Sequence, residues 1–238
     1  GAARRPAAQP AIDLVWLRPD TGARDQRPAL SRDQIVRAAI SLADEHGLDA
    51  VSTRRIAGML GAGPTSMYWH VQSKADLYEL MFDAALAEVE LPGTASGDWQ
   101  DGLRALARST HLMLQRHPWL MLLGIQPGLG PNTRRYGEYG MRVVGGLGLD
   151  SQARTEVLAA LNNYIFGFAH RETARDELIK RTGLTEQQWQ LRLRRYADRT
   201  RHDDPGLARD IETRMHLTSD DSFEFGLDCL LNGIASLP

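Results

Sequence analysis

The residues with the most chemistry to offer lie in one short stretch: Thr53, Arg54, Thr65, Ser66, Tyr68, Trp69, His70 and Lys74. They supply hydroxyls, a guanidinium, an indole N–H, an imidazole and an ammonium. Nearly all are hydrogen-bond donors, and no carboxylate stands among them to act as a base. Such a set grips phosphates and reads base edges; it does not cleave bonds. Two readings stand for Tyr68 and Trp69, one facing outward and one packed into a core, since aromatics on short helices often pack.

Other chemistries fail on spacing. Gly61-x-Gly63-x-x-Ser66 has a superficial likeness to a phosphate loop, but no strand pattern precedes it and no lysine follows in place. His170-Arg171-Glu172 has the H-x-E spacing of zinc deaminases, yet Cys229 is the only cysteine and no Pro-Cys-x-x-Cys exists. Neither Gly-x-Ser-x-Gly nor His-Glu-x-x-His occurs. No enzyme activity, metal or cofactor is therefore expected.

The donors need a scaffold, and the periodicity predicts one. Ser31 caps a helix whose stripe is Ile35, Val36, Ala39, Ile40, Leu42 and Ala43, and Gly47 stops it. Ser52 or Thr53 caps a second helix carrying Ile56, Ala57, Met59 and Leu60, which ends at Gly61. Gly63-Pro64 opens a short third helix, Thr65 to about Val71, with Met67 and Val71 inward. Ser73 caps a fourth, Lys74 to about Leu91. This is the layout of a helix-turn-helix, in which a short polar helix enters the major groove.

The stretch Gly47–Met81 resembles the DNA-binding domain of the TetR family of bacterial regulators. The matching pattern is Ser52-Thr53-Arg54 at a helix start, Ile56-Ala57 and Leu60-Gly61, then Tyr68-Trp69-His70 and Lys74. The Tyr-Trp-His triplet points to the tetracycline-repressor branch, as does GDWQDGLRALAR at 97–108. The resemblance implies that Thr53 and Arg54 reach a base edge or phosphate and that Thr65 and Ser66 approach bases. It gives Tyr68, Trp69, His70 and Lys74 the DNA backbone. Gly63-Pro64-Thr65-Ser66 stands where the tetracycline repressor has Glu-Gln-Pro-Thr, so a different operator is expected.

The expected architecture is all-α. Residues 1–29 form a flexible arm with an apolar island at Ile12–Leu17, free or docked on a surface; 30–92 form the helix-turn-helix domain; 93–238 form a helical ligand-binding and dimerisation domain. About nine or ten helices are expected, with only weak helicity after Gly206. The resemblance implies a homodimer through the helices at 151–180 and 221–234, a palindromic DNA operator and a small-molecule effector. The tetracycline repressor's metal-binding His and Glu fall on Leu122 or Gly124 and on Arg171, so metal–tetracycline induction is not expected. A pocket of Met113, Trp119, Met121, Ile125, Tyr136, Tyr139, Phe166 and Phe168, with His111, Asn163 or His170 as further candidates, suits an apolar or aromatic ligand. A second reading stays open: an activator of the same fold, or a regulator answering to a protein partner.

The bulk numbers are compatible with this. Net charge is −2, so DNA affinity must come from a few placed contacts and from doubling in a dimer. No apolar run reaches the ~18 residues of a membrane span, and a lone cysteine suits a reducing, cytoplasmic setting.

Overall fold

The computed structural model describes residues 15–18, 30–93, 98–123 and 128–237. These residues are all-helical, with eleven α-helices, three short 3-10 turns and no strand among them. They divide into two compact units, residues 1–88 with 122–135 and residues 89–121 with 136–238.

The first unit holds α1 (Arg32–His46), α2 (Thr53–Met59), α3 (Pro64–Met67) and α4 (Lys74–Leu86). Ser31 caps α1 reciprocally: its Oγ accepts from Gln34 N–H, and the Gln34 side chain accepts from Ser31 N–H. Gly47 at φ 79° ends that helix. Ser52, the sequence's alternative to Thr53, caps α2 by accepting from Arg55 N–H. Gly61 at φ 62° then turns the chain, and Ala62 N–H closes back on Ala57 O at 2.9 Å. α3 is shorter than expected. It ends at Met67, and Tyr68–His70 wind as a turn whose last N–H groups return to Met67 O. Consecutive aromatics are poor helix propagators, which suits a turn here. α4 likewise ends at Leu86 rather than near Leu91.

The unit's core is Ile35, Ala39, Ile56, Met67, Leu77 and Met81, all fully buried. The described part of the arm's apolar island is docked through Val15 and Trp16, while Leu17 is exposed. Val15 is buried, Trp16 Nε1 donates to Glu79, and Arg18 Nη1 donates to Asp76 Oδ2 at 2.5 Å. Residues 16 and 18 are thereby fastened to α4. The island's first residues, Ile12 to Leu14, lie outside the described residues.

The second unit is built on α5 (Trp99–Arg116), α8 (Ser151–Thr182), α9 (Glu186–Thr200), α10 (Pro205–His216) and α11 (Ser219–Ala235). α6 (Leu120–Leu123) and α7 (Pro131–Val144) lie between α5 and α8 in the chain. The 32 residues of α8 span about 48 Å at 1.5 Å per residue. α10 is a full helix where the sequence suggested weak helicity. Asp204 caps it by accepting from Leu207 N–H at 2.9 Å, Pro205 fits its first turn, and Ala208 is buried. α11 is latched to α5 by a forked pair, Arg108 Nε and Nη2 to Glu224 at 2.6 and 2.8 Å, and by Arg104 to Asp228 at 2.5 Å. One glycine of α7 also finds a use: a Cβ on Gly140 would lie 2.9 Å from Leu158, so the Leu158 side chain of α8 seats against the α7 backbone there. Among the described residues no helix is long and apolar enough to cross a membrane.

Candidate DNA-reading face and effector cavity

On the helix-turn-helix, inward and outward residues separate cleanly. Met67 and Val71 are buried and hold α3 against the core, while Arg54, Thr65, Ser66 and Lys74 are exposed. Tyr68 and Trp69 are 57 % and 75 % exposed, so the packed reading of these aromatics does not describe them. Thr53 is half-buried at the start of α2. Large aromatics left in water at a helix end are costly unless something covers them. Among the described residues, Arg54 and Lys74 have no acidic partner; the Lys74 ammonium lies 5.3 Å from the Tyr78 ring centre. The face therefore offers unspent positive charge beside hydroxyl, phenol and indole donors.

His70 departs from the expected set. It is 7 % exposed and turned into the unit, so the imidazole does not share the outer face with its two aromatic neighbours. The reason is local: the turn after Met67 places Tyr68 and Trp69 outward and rolls the third residue in toward Val71.

α4, which follows this face, is held at both ends. Near its N-terminus, burial alone would raise the Asp76 carboxyl, but the Arg18 guanidinium, the Ser73 hydroxyl and the Gln72 N–H outweigh it and hold the group below its ordinary range. Near its C-terminus, the buried Asp83 accepts from Asn132 Nδ2 at 2.9 Å and from Thr133 N–H at 2.8 Å. Arg135 Nη2 in turn donates to Leu86 O at 3.1 Å and Ala87 O at 3.3 Å. Asp83 thus satisfies the open N–H groups at the start of α7, and Arg135 satisfies the open carbonyls at the end of α4.

In the second unit the expected pocket residues do not gather. Met113, Trp119 and Tyr139 are buried in helix packing, and Met121 and Phe166 are half-buried. Asn163 and His170 face outward on α8, and Ile125 lies outside the described residues. Tyr136 is tied up: its hydroxyl donates to Asn162 Oδ1 at 2.7 Å, accepts from Thr110, and is pushed up to about 12 by burial. A large cavity lies elsewhere, about 1090 Å³ between the second half of α8, α9, α10 and the start of α11, and of the expected pocket residues Phe168 alone lines it.

The wall of that cavity includes Phe168 and Glu172 of α8, Trp189 and Leu193 of α9, Arg214 of α10 and Phe225 of α11. Behind it, His111 of α5 stacks on Phe223 at 4.1 Å and meets Glu172 Oε2 at 2.6 Å. Glu172 Oε1 also accepts from Ser219 Oγ and from Gln115 at 3.4 Å. The sequence reading missed Trp189, Arg214 and Phe225. Its available signal was Trp189 and Leu193, four apart on a helix otherwise charged. A second, apolar groove of about 580 Å³ runs between the first half of α8 and α11, past Val157, Ala160, Cys229 and Gly233.

An outward set of donors on a helix-turn-helix, ahead of an all-helical unit with a large cavity, defines a DNA-binding transcription regulator. The chain belongs to the TetR family. Residues 35–81 match the bacterial regulatory proteins of the tetR family, and residues 91–237 match the tetracyclin repressor-like C-terminal domain. It is 34 % identical over 180 residues to the HTH-type transcriptional repressor DrrR1 of Streptomyces coeruleorubidus, covering 74 % of this chain and 66 % of that one. It is 36 % identical over 179 residues to an HTH-type transcriptional regulator of Saccharopolyspora erythraea, covering 72 % and 74 %. Its fold is similar to ActR of Streptomyces coelicolor solved in complex with actinorhodin, with a TM-score of 0.74 and 30 % identity, covering 86 % of this chain and 95 % of that one.

Proposed function

We propose that this protein is a homodimeric repressor that binds a palindromic operator and is released by a small molecule. Residues 30–92 serve as the DNA-reading head and 93–238 as the dimerising, effector-binding body. The observation that carries this reading is the exposed group Arg54, Thr65, Ser66, Tyr68, Trp69 and Lys74 above the buried Met67 and Val71. Donors and aromatics so displayed, on and around a short helix anchored from beneath, fit a major groove and its flanking phosphates.

The dimer draws support from α8 and α11. Ala160, Asn163, Gly167 and Ala174 of α8 are exposed at steps of three, four and seven, which keeps them on one helix face, and Cys229 and Gly233 of α11 are exposed along the apolar groove. Small residues at that spacing let a second helix pair approach closely, as a four-helix seam requires. Two heads about 34–36 Å apart then read one face of a palindrome. An effector that favours another spacing lowers affinity by shifting the population of dimers. Two similar proteins support the two halves of this reading: DrrR1 is a repressor, and ActR was solved with actinorhodin.

The test is a mobility-shift series on the DNA flanking the protein's own gene, with competitor DNA and at several salt concentrations. Specific retention by a dimer, lost with log[salt], is the expected result. Retention that does not discriminate between sequences would overturn the operator claim.

A further inference from the structure

The cavity bounded by α8–α11 carries information about what it holds. Part of its lining is apolar. Trp189 and Phe225 carry rings there, Phe225 being 72 % exposed, and Leu193, Ile211 and Met215 line it beside them. Drug-sized ligands occupy pockets of roughly 300–1,000 Å³, so about 1090 Å³ admits several fused or linked rings.

The charges lining it do not cancel. Both acids are committed. Glu172 is held by His111, Ser219 and Gln115. Asp221 accepts from Thr218 Oγ1 at 2.7 Å and from Thr218 N–H, as part of the cap of α11. One of the arginines, Arg175, is paired with Glu186. Arg171 and Arg214 remain. Arg171 lies with its guanidinium 4.5 Å from the Phe168 ring centre, and among the described residues neither it nor Arg214 meets a carboxylate. Guanidinium groups lining a cavity whose own carboxylates are bonded to other partners are placed to receive an anion from a ligand.

We propose that this cavity is the effector site and that its ligand class is a flat, multi-ring aromatic molecule bearing an anionic group, held by Arg171 and Arg214. The rings stack against Trp189 and Phe225, and the anion meets the two guanidiniums. The buried His111–Glu172–Ser219 network forms the polar floor and offers its hydroxyl at one edge. This deepens the effector half of the proposed function and rests on it, although binding is measured without DNA.

The experiment uses the full-length protein and a charge series on one ring system: pyrene-1-carboxylate, pyrene-1-methanol and pyrene-1-methylamine. Binding is followed by energy transfer from tryptophan, with Trp189→Phe identifying the local donor. The carboxylate should bind at least tenfold tighter than the alcohol and the amine weakest, since a charge-assisted hydrogen bond is worth about 1.5–3 kcal/mol. Arg171→Gln and Arg214→Gln should each cut carboxylate affinity about tenfold and leave the alcohol nearly unchanged, with helical circular dichroism and dimer mass retained. Equal affinity for all three probes, or unchanged carboxylate affinity in the double variant, overturns the proposal. If Leu193→Arg splits a dimer while probe binding is unaltered, the cavity seats a second copy and the proposal also fails. Specific DNA retention with no probe bound would reject this site and leave the repressor reading standing. Probe binding by a protein that retains no operator would do the reverse.

Discussion

Thr133 gives both its backbone N–H and its hydroxyl to one oxygen of Asp83, at 2.8 and 3.0 Å, so a carboxylate on α4 serves as the N-terminal cap of α7. Asp83 is 3 % exposed, and Gly130 makes room for it: a Cβ there would fall 2.1 Å from Oδ1. Removing the carboxylate strands the N–H groups of α7 away from water. Asp83→Ala should therefore cost about 2–3 kcal/mol, a drop of roughly 5–10 °C in thermal midpoint for a chain of this size. Asp83→Asn, which keeps one acceptor, should lose less. Equal midpoints for the alanine variant and the parent would mean that the cap contributes nothing.

The second end of α4 predicts a pH effect. The Asp76 carboxyl is held below its ordinary range, with Arg18 the main partner opposing its burial. A depressed carboxyl stabilises the fold above its unfolded pKa of about 3.9 and loses that contribution as pH falls through the folded value. Arg18→Ala should thus cost about 1 kcal/mol at pH 7. The gap between variant and parent should shrink on acidification below about pH 4. Urea midpoints at the two pH values decide it; a gap that widens in acid would refute the sign.

DNA binding and stability should separate at the triplet. Trp69 is 75 % exposed, so Trp69→Ala should leave stability within about 0.5 kcal/mol and weaken operator binding several-fold. His70 is buried, and His70→Ala should lower stability first. Lys74→Ala should weaken all sequences alike and reduce the log–log salt slope by about one per head. Thr65→Ala and Ser66→Ala should alter which bases are preferred. Anisotropy titrations beside thermal melts distinguish these effects.

What was legible in the sequence tracks what is local. Caps, glycine stops and the stripe of α1 are written in adjacent residues, and so is the family pattern from Ser52 to Lys74. The inward roll of His70 was not legible, because it depends on α3 ending at Met67 rather than near Val71. The cavity was missed for a different reason. Its wall is assembled from Arg171, Trp189, Arg214 and Phe225, on four helices, and no periodicity reports which residues of separate helices face one another. Arg171 was considered only as a failed metal ligand. Tyr136 and Tyr139 were taken for pocket residues because an aromatic on a helix face reads the same whether it lines a void or fills one.

Two kinds of glycine should respond oppositely to a methyl group. A Cβ on Gly226 would lie 2.4 Å from the Tyr164 hydroxyl, and that ring cannot swing away. Tyr164 donates to Phe223 O at 2.6 Å and packs on the Phe168 and Phe223 rings. Overpacking costs about 1–3 kcal/mol, more than the ~1 kcal/mol that alanine gains over glycine in a helix, so Gly226→Ala should destabilise. Gly167 and Gly233 have open space where a Cβ would go. In a lone subunit their alanine variants should be stabilised by about 0.5–1 kcal/mol each. If the exposed faces of α8 and α11 form the dimer seam, added bulk there separates the helices, so Gly167→Leu should shift sedimentation from dimer toward monomer while helical content persists. A Gly167→Leu protein that remains dimeric at micromolar concentration would move the seam to another face.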